Sequence, residues 1–386
     1  MSQRVAIVGG GQTYHTTHRP DVNIPELCHE SVKAALEDAN LEPKDIDAVI
    51  MGNMEFFEGR YLQDMWEADY VGGYLKPGIR VTTGGSTGGT LACVAFEYVA
   101  SGVFDTVLTV GFEKQGEGDS RAALKGVADA LWDRFISAGA IGTFAQLGRA
   151  YMMDYGAKEE HAAMVRLQAD RNACRNPYAH LRLGLKSIDE VLKSKPLVPP
   201  VKMLDMCPAS EGSCALIVAS EEKAKKITNK PVWVKDWVTC HSEDRYAREA
   251  PVSLANLTEA ASILYKRNGI SNPRRDISFS EMYNPSTWAE LVFTEAFGIC
   301  EKGEAWRLVE KGAFALEGEF PINPSGGVIA TNPIGATAML RIAEAALQLR
   351  GDAGEHQITR KPKYGFTTAW GGTSWTVATL LSNTLD

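Results

Sequence analysis

The sequence predicts an α/β protein made of one strand–helix unit written twice, layered as an αβαβα sandwich with a loop domain inserted in the first copy. Three observations predict it. Short β-branched runs alternate with helical patterns along the chain, the pattern of largely parallel sheets covered by helices. A Gly-rich loop opening an Ala-rich helix occurs twice, as VTTGGSTGGTLACVAFEYVASG from Val81 and NPSGGVIATNPIGATAMLRIAEAALQLRG from Asn323. A proline turn, an Asp-Ile pair and a strand also occur twice, as LEPKDIDAVIMGN from Leu41 and ISNPRRDISFSEMYN from Ile270.

Val5 to Val8 is a strand that leaves into a loop at Gly9-Gly10-Gly11. A helix from Pro25 to near Leu41 follows, then a strand from Ala48 to Met51. The first Ala-rich helix is closed by Gly102, and FDTVLTVGFE is the next buried strand. The second copy opens with PVWVKDWV (231–238) and a helix ended by Gly269; it closes with two strands around the glycine pair of TTAWGGTSW. The halves are therefore expected at 1–230 and 231–386. Residues of about 115–200 are richer in charge and form an excursion over the top of the sheets, where α/β proteins place binding loops. Alanine and glycine on the two repeated helices permit close approach, as two sheets sharing one central helix layer require.

Composition narrows the class. The chain has 386 residues, 45% hydrophobic and 23% charged, which is globular and longer than one ordinary core. A net charge of −8, with no lysine/arginine block, argues against nucleic-acid binding. No secretory h-region follows Arg4 and no apolar run approaches the ~20 residues of a bilayer span, so a cytoplasmic protein without membrane attachment is expected. The seven cysteines are dispersed without a C-x-x-C pair and read as buried thiols rather than a disulfide framework or a metal site.

The repeated unit, with glycine loops at both Ala-rich helices, resembles the layout of the thiolase superfamily. AYMMDYG with DRNACRNPYAH, and FGICEKGEAWRLVEKG with the stretch from Phe320 to Gln357, resemble the sterol-carrier-type and archaeal thiolases. The resemblance implies the thiolase fold, a dimer, an acyl-CoA substrate, and an active site between the halves. No cofactor is implied beyond the coenzyme A thioester itself, which is substrate. It also implies a small partner subunit with a zinc ribbon and an OB-fold.

Thiolases hold an acyl group on a cysteine, because thiolate is both a good nucleophile and a good leaving group. In the C-x-[ST]-G segment of the family this chain has Gly85-Ser86-Thr87-Gly88, so the cysteine position holds Gly85. Ser86 could serve only after a register shift, and Cys93 lies two turns along in the core pattern. The second family motif, E-V-H-D-[AC]-F, is here Glu281-Met282-Tyr283-Asn284-Pro285-Ser286, with Tyr283 replacing the histidine. The third is Thr331-Asn332-Pro333-Ile334-Gly335-Ala336, where Asn332 can orient a water or donate to an enolate oxygen. The fourth ends in Trp370-Gly371-Gly372 without its cysteine or histidine.

This pattern of loss resembles the sterol side-chain aldolases, thiolase-fold proteins with glycine for the cysteine and tyrosine for the histidine, which cleave β-hydroxyacyl-CoA. A retro-aldol reaction needs a base on the β-hydroxyl and a stabiliser for the departing enolate, but no acyl-enzyme. The resemblance implies Tyr283 on the enolate and Tyr246, in a loop resembling one of theirs, on the hydroxyl, with His241 as a fallback base. Gly85, Ser86, Gly371, Gly372 and Trp370 are the expected substrate and CoA contacts. Unlike the aldolases, the chain keeps a thiolase-like sequence at Asn332-Pro333. Three functions stay open: retro-aldol lyase on a bulky β-hydroxyacyl-CoA, acyltransferase with unconventional residues such as Ser86, and non-catalytic CoA-binding subunit.

Overall fold

The computed structural model describes residues 3–60, 62–127, 129–131, 134, 139–242, 254–372 and 375–385. Its strands are β1 (Val5–Gln12), β2 (Ala48–Gly52), β3 (Gly78–Arg80), β4 (Thr106–Lys114), β5 (Pro196–Val198), β6 (Val201–Lys202), β7 (Glu211–Ser220), β8 (Val232–His241), β9 (Phe279–Glu281), β10 (Tyr364–Gly371) and β11 (Trp375–Ser382). The helices used below are α1 (Ile24–Ala39), α2 (Thr87–Ala100), α3 (Gly139–Tyr155), α4 (Glu159–Ala173), α5 (Ala255–Asn268), α6 (Thr287–Ala296) and α7 (Ile334–Arg350).

Nine strands form one sheet in the order β3-β2-β4-β7-β1-β8-β11-β10-β9, and β5 and β6 pair separately. The order is a mirror about β1 and β8: β2-β4-β7-β1 on one side answers β9-β10-β11-β8 on the other. The halves are stitched where Val5–Ile7 oppose Val232–Val234. Alternation along the strands gives each half-sheet two apolar faces. Val8, Val49, Leu108 and Ile217 pack under α1. Ile7, Ile50, Val107 and Leu216 of the first half, with Val234, Phe279 and Leu381 of the second, enclose α2 and α7. Val238, Phe366, Val377 and Leu380 face α5, α6 and the excursion helices α3 and α4. The layers are therefore α1, sheet, α2 with α7, sheet, and α5 with α6: the αβαβα arrangement.

Two expectations are corrected. Only β3–β2, β2–β4 and β10–β9 are parallel; the five other pairs are antiparallel, so the sheet is mixed. Strand β7, which supplies two of those five pairs, is buried along its whole length and is absent from the sequence reading above. The first strand also does not stop at Gly9. It runs on to Gln12 through a register shift after Ile7, because glycine lets the backbone lie against α1. A Cβ on Gly11 would stand 2.2 Å from the Ser31 carbonyl oxygen.

Every residue of α6 is buried, its two glutamates included: Glu290 accepts from Asn284 and Asn323, and Glu295 from the Gly303 and Ala305 N–H groups. Ser286 caps it, its hydroxyl accepting from the Ala289 N–H at 3.0 Å. Burying Leu291, Val292 and Phe293 contributes about 1.5–3 kcal/mol each. That anchorage matters because the chain enters α6 directly from Tyr283. Among the described residues no helix is long and apolar enough to cross a membrane.

Candidate active site

The two Gly-rich loops bring the N-terminal ends of α2 and α7 together. A Cβ on Gly88 would lie 2.5 Å from the Met339 nitrogen, so glycine there is what lets the helices touch. The positive ends of both macrodipoles face the same region, which favours a ligand that carries or develops negative charge.

Tyr283 enters this region on a stiff backbone. Met282 N–H donates to Asn323 Oδ1 at 2.7 Å and Tyr283 N–H to Thr368 Oγ1 at 2.9 Å. Asn284 donates to Glu290 at 2.6 Å and accepts from Val328 N–H at 2.7 Å. One residue before Met282, Glu281 forms a fully buried ion pair with Arg341.

The phenol points at Gly85. A Cβ built on Gly85 would stand 2.7 Å from the Tyr283 hydroxyl and 2.7 Å from the Trp370 carbonyl oxygen, closer than real Cβ contacts come. Tyrosine therefore fills the volume that a side chain at position 85 would need. The hydroxyl has no hydrogen-bond partner among the described residues. Burial first, then the nearby Cys207 and Glu113, push its pKa far above the ordinary tyrosine value. Near neutral pH it is a proton donor only.

Asn332 precedes α7 and is held at three points. Its backbone N–H donates to Ser210 Oγ at 3.0 Å, its carbonyl accepts from Gln115 at 2.9 Å, and its Oδ1 accepts from Thr337 Oγ1 at 2.8 Å. With Oδ1 on the Thr337 hydroxyl, Nδ2 faces Cys207 Sγ, 3.2 Å away.

Cys207 sits half-exposed on the opposite wall, its N–H bonded to the Pro285 carbonyl at 3.0 Å. Burial pushes the thiol up to about 11, against the Asn332 hydrogen bond and the Arg166 charge, which pull it down. Arg166 of α4 is fully buried. Its Nη1 donates to the Ile329 carbonyl, while Nε and Nη2 find no partner among the described residues.

Residues 5–179 match the description "Thiolase, N-terminal domain" and residues 239–384 "Thiolase C-terminal domain-like". An acetyl-CoA acetyltransferase of Methanocaldococcus jannaschii is 32% identical, with 97% of each chain covered. Human sterol carrier protein 2 is 30% identical over 92% of this chain and 68% of its own length. The chain belongs to the thiolase superfamily. Among solved structures, the Ltp2-ChsH2(DUF35) aldolase superposes with a TM-score of 0.85 at 25% identity, covering 99% of this chain and 98% of that one.

Within this thiolase-superfamily protein the structure brings Gly85, Tyr283, Asn332 and the Trp370 carbonyl to one place. Gly371 closes against the loop, where a Cβ would stand 2.4 Å from the Thr83 carbonyl oxygen, and Gly372 turns the chain at φ +61°. Ser86 is wholly buried and its hydroxyl donates to the Thr83 carbonyl at 2.7 Å. The Trp370 indole likewise packs between Phe144 and Phe293, so its carbonyl rather than its ring borders Gly85. Tyr246 lies outside the described residues. His241 is exposed, with its ring against the edge of Trp375.

The reading of all seven cysteines as buried is corrected as well. Only Cys28, Cys93 and Cys214 are buried, while Cys207 opens onto the site. Sequence reasoning missed Cys207 and Arg166. A usable signal was the Cys207-Pro208 pair just before the unrecognised strand β7.

Proposed function

We propose that this protein is a carbon–carbon lyase acting on CoA thioesters, cleaving a β-hydroxyacyl-CoA by retro-aldol reaction to a ketone or aldehyde and a shorter acyl-CoA. The observation that carries the reading is the Tyr283 hydroxyl in the volume of the missing nucleophile. A site so filled has no group at position 85 to hold an acyl chain. It still has what an enolate needs: a buried, protonated phenol, the Asn332 amide and two helix N-termini.

In this reading Tyr283 donates to the thioester oxygen as the Cα–Cβ bond breaks, and Asn332 Nδ2 supplies a second donor. Tyr246 is the proposed base on the β-hydroxyl. The acyl group is proposed to be bulky and sterol side-chain-like, following the motif resemblance. Incubation with a β-hydroxyacyl-CoA should release equal amounts of carbonyl compound and shortened acyl-CoA. Thiolysis of a 3-oxoacyl-CoA by free CoA, without such release, would overturn it.

Acyl transfer is the second reading. It is favoured by the acetyl-CoA acetyltransferase likeness and by Cys207, the one thiol beside Tyr283. The thiol's raised pKa weighs against it, because a nucleophile must ionise near neutral pH. Assembly is proposed as a homodimer core with a small zinc-ribbon/OB-fold partner, following the motif resemblance; the name Ltp2-ChsH2(DUF35) aldolase joins two components. The edge strand β3 is open to a second copy, with Trp66, Tyr74, Leu75 and Ile79 exposed around it.

A further inference from the structure

We infer that Cys207 is a catalytic acid, the group that delivers a proton to the α-carbon of the CoA-thioester enolate. The inference rests on the site being one that forms such an enolate. Three features converge on the sulfur. Asn332 Nδ2 stands 3.2 Å from Sγ, while the other end of the amide is held by the Thr337 hydroxyl. The Cys207 backbone N–H donates to the Pro285 carbonyl, two residues from Tyr283, so the segment carrying the thiol runs beside the one carrying the phenol. The guanidinium of Arg166, fully buried and with Nε and Nη2 unpartnered among the described residues, interacts by charge with Asp170, Asp205 and then Cys207.

A buried arginine with unmet donors is costly unless something anionic comes within reach. Asp170 and Asp205 already act on it, and a thiolate at Cys207 would add to them. The resting thiol is protonated at neutral pH, since burial holds it near 11. When bond cleavage leaves an enolate, its electron pair takes the sulfur's proton. The S–H bond breaks, the Cα–H bond forms, the thioester carbonyl is restored, and the negative charge moves to sulfur. There the Asn332 N–H and the Arg166 charge stabilise it. The proton lost by the β-hydroxyl then restores the thiol, so each turnover is proton-neutral. The position of the family's usual C-terminal cysteine is vacant here, and Cys207 serves from the facing wall.

The test is hydrogen exchange rather than cleavage. The full chain is incubated with propionyl-CoA or acetyl-CoA in D2O over a series of rising pD, which populates the thiolate that takes up an α-proton, and deuterium at the α-carbon is read by mass spectrometry. The wild type should exchange the α-hydrogens. Cys207→Ala and the nearly isosteric Cys207→Ser should both exchange about a hundredfold more slowly, the usual worth of a positioned acid or base. Melting temperatures close to the wild type, for Cys207→Ser at least, show that the site is intact. Wild-type exchange rates in either variant, or no exchange by the wild type, overturn the assignment. Carbonyl release is scored separately. Release without Cys207-dependent exchange keeps the lyase and discards this acid, and exchange without release does the opposite.

Discussion

The Tyr283 hydroxyl lies 2.7 Å from the point that a Cβ on Gly85 would occupy, so the two positions behave as a coupled pair. Gly85→Ala should destabilise the protein by about 1–3 kcal/mol through overpacking. Removing the hydroxyl with Tyr283→Phe should recover part of that loss, leaving the share owed to the Trp370 carbonyl. A double-mutant cycle in urea unfolding measures this, and additive effects would show that the two residues do not compete for space. Gly85→Cys alone should not yield a thiolase, because the phenol remains in the way.

Covalent trapping gives the second prediction. Intact-mass spectrometry after incubation with short acyl-CoAs should show no acyl adduct, since position 85 has no side chain and the Ser86 hydroxyl is buried against Thr83. An adduct mapped to Cys207 would move the protein to the acyltransferase reading. One on Ser86 would additionally require the loop to open.

Much of this was legible in the sequence because the repeated unit leaves a repeated trace. Gly-rich loops and Ala-rich helices are visible as composition, and their close packing is the reason for that composition: Gly88 against Met339 is the plainest case. The motifs also named Gly85 and Tyr283, which the structure sets side by side. Legibility failed where function depends on contacts between distant segments. Nothing local to Cys207 shows that Asn332, 125 residues away, will turn its amide toward it. Nor does Ser86 reveal in sequence that its hydroxyl is spent on its own loop. Strand β7 was missed because EGSCALIVAS, buried on both faces, lacks the alternation that marks a half-buried strand.

Edge strand β3 supplies a prediction about assembly. Leu75 is 87% exposed and Trp66 71% exposed, large values for apolar side chains beside a strand with an unpaired edge. Ile79→Lys combined with Trp66→Glu should shift the protein from dimer to monomer in light scattering, leaving its melting behaviour otherwise cooperative. A wild-type chain already monomeric at micromolar concentration would rule out the proposed dimer core.

Acid stability should depend on His15. Burial holds its pKa at about 3, against 6.5 for an exposed histidine. The unfolded chain therefore binds a proton between these values that the folded chain does not. The stability of the neutral buried ring is fully present above about pH 6.5. It is lost as pH falls toward 3, with a slope of up to about 1.4 kcal/mol per pH unit. His15→Gln should flatten this part of the profile. Urea unfolding at pH 7 and pH 5 reads the difference, and an unchanged slope would show that another group carries it.

The most direct test of the chemistry is Tyr283→Phe. The substitution removes one oxygen and leaves the ring in its buried setting, on a backbone tied to Thr368 at Tyr283 and held to Val328 through the Asn284 side chain. Folding and CoA affinity should therefore stay close to the wild type. Loss of one donor to a developing oxyanion costs about 3 kcal/mol, or roughly two orders of magnitude in rate. That loss should fall on kcat, because the phenol, kept protonated by burial, bonds most strongly to an oxygen that becomes negative only as the carbon–carbon bond breaks. Asn332→Ala should behave similarly if its amide serves the same oxygen, and the double variant should then be less than additive. Steady-state kinetics on a β-hydroxyacyl-CoA that the wild type cleaves would decide it: unchanged turnover by Tyr283→Phe would reduce this tyrosine to packing beside Gly85.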